Sequence, residues 1–529
     1  MKRLSIGNFQ EVGLNTDITA DALPPSALTT LRNARIFSNR IVTFGGNREV
    51  STAPVAFTPG HILYVPSSNG AYWVVCGIGM AGTPDDRAVY SYVDATDAWT
   101  DISDASIYEN LTNVVNWTSC LFNNIPVINH PQSYPQAQDS LAYNADFSQL
   151  TWDGVNSWAT EQKQCNAIAS HKNFLFAMGM IEGGTDYPYV VRWSDAADVG
   201  ALPGTWDETD PTNLAGKVAL SGDGGEIMCG LTLRDSFLVY RETSIHVFDY
   251  IGGEFVFSIR DLSPTIGASS RHAVTEFNGL HYFMSKSDIY VTDGNSIKSI
   301  LNDKIRLEYL FSIGQIDMTR YFVFKNPTLS EIWFCAPIGS TNTNVAFVYN
   351  VIKETFSIVD LPETYHIADG HVSEAALTWS TVATTWESEF GSWLVNTNSD
   401  TISTAYGFAV QSGATAPKLL ELDMIGFLNV AHNPVIERIG LDFEDGDSVT
   451  VLEWIPAISI GHDIDFQIGT QEYHNGPITW NPVQTFSEGM RKLDIRATGK
   501  LISYRISSSV EGSWWLTGMK FGYEMDGLR

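Results

Sequence analysis

Two short stretches near the C-terminal end bring histidine and carboxylate together, HDID at 462–465 and EYH at 472–474. On a strand, alternate residues share a face. His462 then faces with Ile464, Asp463 with Asp465, and Glu472 with His474. No third or fourth ligand follows at a zinc spacing. The acidic DFEDGD at 442–447 lacks the D-x-D-x-D-G…E order of a calcium loop. All three read as solvated turns. Arg192, Arg234, Arg241, Arg260 and Arg271 are numerous enough to hold a substrate carboxylate, but most fall at the ends of strand-like runs. The Gly-rich SGDGGE at 221–226 carries two acids where a phosphate cradle needs amide donors and a base. G-x-S-x-G, the P-loop and G-x-G-x-x-G after a strand are all missing from the sequence. No catalytic residue, cofactor site or metal site is therefore assigned, and the expectation is a structural protein, not an enzyme.

One stretch comes nearer to chemistry. VVRWSDAADVGALPGTW at 190–206 has the Ser, Asp, Gly and Thr-Trp of the Asp-box turn found in sialidase-type propellers. In that turn the Asp and the Trp hold a hairpin and do no catalysis. Glycosidase chemistry would need an arginine cluster, a Tyr nucleophile with a Glu partner and an Asp acid, for which Asp195 or Asp198 would stand. The spacing is also stretched, with 199–205 lying between Asp198 and Trp206. Trp193, Asp195 and Trp206 are read as a structural turn.

The elements that position these residues follow from composition and repetition. The chain has 529 residues, 44% hydrophobic, 12% aromatic and 17% charged. Low charge with many aromatics, Gly and small polar residues fits short strands and turns, not helical bundles with charged outer faces. Against 60 acids stand 31 bases, a net charge of −29, which disfavours a grip on nucleic acid because phosphate contacts need Lys and Arg. Cys76, Cys120, Cys165, Cys229 and Cys335 form no C-x-x-C pair and read as free buried thiols. The start MKRLSIGNFQEVG lacks the apolar core of a signal peptide, and no apolar run reaches a membrane span. The sequons at Asn110 and Asn116 then carry no meaning.

A strand, a tight polar turn and a more apolar strand recur six times, with turns near Asn69, Asn124, Asn173, Asp235, Asn278 and Ser330. The gaps run from 43 to 62 residues, the span of a propeller blade with variable outer loops. Asn-Gly at 69–70 and 278–279 is a strong hairpin signal because both residues tolerate positive φ. The expected fold is all-β: a six-bladed β-propeller with an irregular N-terminal arm and a C-terminal β-sandwich or barrel-like domain. The arm and its hairpin, turning at Ser38-Asn39, take 1–50. Blades fall near 58–103, 114–160, 165–206, 227–260, 271–300 and 319–361. Residues 362–425 are a closure or an insertion, and 426–529 form the C-terminal domain, with longer strands. The best helix is 302–312, with Ile305, Tyr309 and Ser312 on one face. Two unrelated sandwiches are the alternative to the propeller.

Three segments resemble the tail nozzle or tail-tubular β-propeller proteins of short-tailed bacteriophages. They are GLNTDITADALPPSALTTLRNARIFSNRIVTFGGNREV at 13–50, the run from RWSD to VTDG at 192–294, and RKLDIRATGKLISYRISSSVEGSWWLTGMKFGYEMDGLR at 491–529. The resemblance covers about two-thirds of the chain and is a pattern of blades, not a catalytic signature. It implies a ring, usually six-fold, below a portal-proximal adaptor, enclosing the DNA exit channel and carrying fibres or a distal tip. It places the protein in the virion tail, assembled in the bacterial cytoplasm. An acidic channel would repel DNA, which carries about one charge per 1.7 Å of duplex. The alternatives are a receptor- or glycan-binding propeller and, further off, a glycosidase.

Overall fold

The computed structural model describes all residues except 55–56, 68–69, 80–87, 105–110, 254, 314–317, 371–405, 412–416, 425–432, 444–446, 460–461, 475, 510–513 and 526–529. The expected turn at Asn69, the sequon at Asn110 and the centre of DFEDGD lie outside the described residues. Among the described residues the chain is all-β apart from the helix Arg306–Ile313 and short 3-10 turns.

Five separate antiparallel four-stranded sheets follow one another along the chain. They span 57–101, 118–149, 163–219, 227–263 and 274–299. A sixth four-strand meander uses Phe322–Asn326, Glu331–Ala336, Thr343–Asn350 and the start of Thr355–Gly370. Turn chemistry explains the hairpins. The pairs Phe122↔Ile125, His171↔Phe174, Leu233↔Ser236 and Phe277↔Leu280 each leave two residues for the turn. Two-residue hairpin turns of the primed type need positive φ, and Asn123, Asn124, Lys172, Arg234, Asn278 and Gly279 all have it.

A further four-strand path begins in Thr355–Gly370 and ends in the N-terminal arm. The second half of Thr355–Gly370 pairs with Tyr406–Gln411, that strand with Lys418–Met424, and that one with Gly46–Thr52 from the N-terminal arm. One strand of 16 residues thus closes the sixth meander and opens the next path. The first strands of the successive sheets pack side by side, and Thr355–Gly370 packs against both Phe322–Asn326 and Phe57–Val65. This radial order is the arrangement of a β-propeller.

Separate apolar clusters fill several of the seams. Trp117 and Ile128 meet the first sheet's Val74 and Val89. Leu175 and Ala177 meet Phe122 and Val127, while Phe176 and Met178 on the other face meet Phe237 and Val239. Ile367 and Leu420 pack with Phe322 and Trp333, and Leu419 with Ile62, Trp73 and Val75. Each sheet hides both faces by packing on its neighbours, as one sheet alone could not. The seam between Thr355–Gly370 and the first sheet is tight. A Cβ on Gly370 would stand 2.3 Å from Trp73 Cη2. Trp73 is itself buried and cannot yield. Gly370→Val is expected to destabilise the fold by about 1–3 kcal/mol through overpacking, read as a lower melting temperature.

The C-terminal strands form two facing sheets, and both recruit the N-terminal arm. Val449–Ser459, Leu493–Gly499 and Trp515–Met525 share a sheet with Lys2–Gly7 and the hairpin Ala34–Thr43. Val435–Asp442, Leu501–Ser507 and Ile464–Gln471 extend the sixth meander's sheet through Thr30–Arg32. Trp454 bridges the two layers, 4.8 Å from Phe466 edge-on and 4.9 Å from Phe521. The hairpin turns at Ser38 and Asn39, both at positive φ. The helix begins at Arg306, later than the expected 302; Ile305 just ahead of it and Tyr309 within it are buried, and Asp17 caps it by accepting from the amides of Arg306 and Leu307.

Candidate functional site

The turn at 194–206 is built around one hydroxyl and one carboxylate. Ser194, fully buried, accepts from the Leu175 amide at 3.0 Å and donates to the Asp195 carbonyl at 2.8 Å. Asp195 Oδ1 accepts from the amides of Ala196 and Leu214, both at 2.8 Å, and its own amide donates to the Thr205 carbonyl at 2.9 Å. The carboxylate therefore ties together both ends of a long loop.

The two tryptophans go to opposite faces of the third sheet. Trp193 packs against Phe257 of the fourth sheet at 5.4 Å and donates from Nε1 to the Leu214 carbonyl. Trp206 sits in the seam with the second sheet, edge-on to Trp158 at 4.9 Å, which is edge-on to Trp152 at 5.1 Å. Asp198 is exposed at the loop's outer side.

The five candidate arginines do not converge. Arg192 is buried and pairs with Glu182 and Glu208, with Trp152 beneath its guanidinium at 4.7 Å. Burial alone would raise the Glu208 carboxyl, but Lys217 and Arg192 outweigh it and hold it at about 2. Arg241 donates to the carbonyls of Ser221, Gly222 and Gly225. SGDGGE thus presents carbonyls to a cation, the reverse of a phosphate cradle. Arg234 and Arg260 reach the carbonyls of Asp293 and Gly294, and Arg271 that of Asn166. Arg234 and Arg260 are struts between the neighbouring fourth and fifth sheets, and Arg271 reaches from the head of the fifth sheet to the third.

The C-terminal histidines are likewise apart. His462 bonds Ser508 Oγ at 3.1 Å, and His474 lies 3.5 Å from Asp21. Asp465 accepts from Thr485. All five cysteines are free, and burial pushes the Cys120 and Cys229 thiols up to about 12.

Among the described residues, a different group gathers metal-capable side chains: His61, His272 and His366, with one ligand atom from each within 4.8 Å of the others. His61 lies on the first sheet's inner strand, His272 just ahead of the fifth sheet, and His366 on Thr355–Gly370. Ring centroids are 4.9, 4.3 and 4.7 Å apart. Sequence reading missed them. The available signal is slight: GHIL, RHAV and YHIA each put a His before two apolar residues, two of them within a strand and one just ahead of a strand. Burial lowers all three, His272 to about 4, so the rings are neutral near pH 7.

Radially packed four-stranded sheets define an all-β protein of propeller type. No protein-family model matches the chain, and no curated protein sequence matches it. Among solved structures it is similar to PorZ, an essential bacterial surface component of the type-IX secretion system of Porphyromonas gingivalis. The identity is 10% and the TM-score 0.32, over 84% of this chain and 46% of PorZ. It is also similar to Hsv2p of Kluyveromyces lactis, at 10% identity and a TM-score of 0.26, over 46% of this chain and 64% of Hsv2p. The chain therefore spans less than two-thirds of the length of either.

Proposed function

We propose that this chain is a non-enzymatic building block of the tail of a short-tailed bacteriophage. Copies close into a ring, six-fold by the resemblance, which acts as nozzle for the outgoing DNA and as platform for an adaptor above and fibres or a tip below. The observation that carries this reading is a pair of separate apolar patches on a chain of net charge −29. Tyr250, Ile251, Phe255 and Ile259 are exposed on the outer hairpin of the fourth sheet, and Leu307, Leu310 and Phe311 on one face of the helix. Two unlike patches suit a head-to-tail contact, which closes into a ring when the rotation allows. The surrounding acid keeps a polyanion sliding past instead of sticking.

In this reading the propeller has seven units instead of the six expected. The seventh is the path from Thr355–Gly370 through Tyr406–Gln411 and Lys418–Met424 to Gly46–Thr52, and its N-terminal strand acts as the clasp. Native mass spectrometry or electron microscopy of the purified chain, alone and with virion tail components, tests the assembly. A closed ring is expected, and Phe311→Asp with Phe255→Asp should return it to single chains. A chain that stays single in both settings overturns the proposal.

A further inference from the structure

The three histidines are arranged as ligands. A carbonyl can only accept, so His272 must carry its proton on Nε2, which donates to the Trp117 carbonyl at 2.8 Å. The neutral tautomer with that proton has a bare lone pair on Nδ1. His61 uses Nε2 toward Ser119 Oγ at 2.7 Å, and its Nδ1 is buried without a hydrogen-bond partner. His366 Nδ1 is also buried without one. Unpartnered buried polar atoms are unfavourable and call for a reason. Outer partners such as Trp117 and Ser119 are what ligating imidazoles use to fix tautomer and ring orientation. The nearby cation Arg271 is turned to the Asn166 carbonyl at 2.6 Å. A small cleft lined by Gly60, Val115, Arg320, Tyr321 and Tyr365 borders His272.

We propose that His61, His272 and His366 bind one divalent transition-metal ion, zinc by preference, which joins the first sheet, the fifth sheet and the strand Thr355–Gly370 across the propeller axis. Imidazole suits zinc, and three His with a fourth position open to water is an established zinc donor set. Zn–N bonds of about 2.0–2.1 Å require the nitrogens to close in from their present spacing, a movement that rotation about the soft χ2 of His supplies. The metal's role here is to clasp, and it holds the strand that the ring closes on.

The test uses the full chain stripped with EDTA and titrated with Co²⁺, then Zn²⁺. One equivalent of Co²⁺ should give the visible absorption of a tetrahedral nitrogen-rich site, Zn²⁺ should displace it, and the melting temperature should rise with either metal. His61→Gln, His272→Gln and His366→Gln should each abolish the absorption, and His474→Gln, on the exposed C-terminal side, should retain it. Any one of the three variants with wild-type circular dichroism decides the assignment. Absence of the absorption in the wild-type chain, or its persistence in such a variant, overturns the proposal.

Discussion

Trp206→Ala should lower the stability of the fold by about 3–5 kcal/mol, the range for truncating a large buried aromatic. Trp206 has no exposed surface, stacks edge-on against Trp158 and donates its amide to the Trp152 carbonyl at 2.7 Å. Its own carbonyl accepts from Arg192 at 3.1 Å. The cavity would open in the seam between the second and third sheets, where a chain of three tryptophans leaves little that can collapse inward. Asp195→Ala should cost less, about 1–3 kcal/mol, since it strands two amides that can partly find water. Urea titrations followed by circular dichroism check both. Equal midpoints for wild type and Trp206→Ala would show that the turn does not support that seam.

Arg35→Met should be as damaging, at about 3–5 kcal/mol, because it leaves buried carboxylates uncompensated. Arg35 lies on the arm's hairpin and pairs with Glu331 of the sixth meander at 3.0 Å and with Asp423 of the path beyond it. Its guanidinium stacks on Phe44 at 3.8 Å. One side chain thus ties together three parts of the chain. The same site imposes a pH dependence. Burial, helped by Asp423, raises the Glu331 carboxyl from 4.5 to about 7, although Arg35 pulls it down. Between those values the folded chain holds a proton that the unfolded chain releases. This contribution to stability is complete below pH 4.5 and is lost as the pH rises through 7. The slope is at most about 1.4 kcal/mol per pH unit for one proton. Glu331→Gln should remove that part of the slope, read from urea midpoints across the same interval.

Much of the strand pattern is legible in the sequence, for local reasons. Asn-Gly at 278–279 and Asn-Asn at 123–124 announce hairpins because their backbones tolerate positive φ, and both turns lie there. Ile305 and Tyr309 mark the buried side of a helix by their spacing alone. The turn at Ser194-Asp195 is visible as a motif, but the motif does not tell that its two tryptophans serve opposite faces of the third sheet. What could not be read depends on distance along the chain. Thr355–Gly370 contains Pro362 and reads as an ending, yet it runs on to serve a second sheet. Gly46–Thr52 reads as the tail of an arm, since its partner Lys418–Met424 is remote in sequence. The histidine group is hidden for the same reason: each His looks like an ordinary strand residue until three separate units meet.

The pairing of Gly46–Thr52 with Lys418–Met424 has a consequence for how the protein is made. The clasp leaves the ribosome early and its partner late. At about 5–20 residues per second, the interval is on the order of tens of seconds. Throughout it, an orphan edge is offered to any other nascent chain in reach. The segment GNREVST is suited to that wait, because charged side chains blunt a strand edge against stray pairing. The same charges are used again on arrival. Arg48 then meets Glu421, and Glu49 meets Lys418 at 2.6 Å. The charges that would blunt this strand's edge before its partner exists are those that pair with that partner in the folded chain.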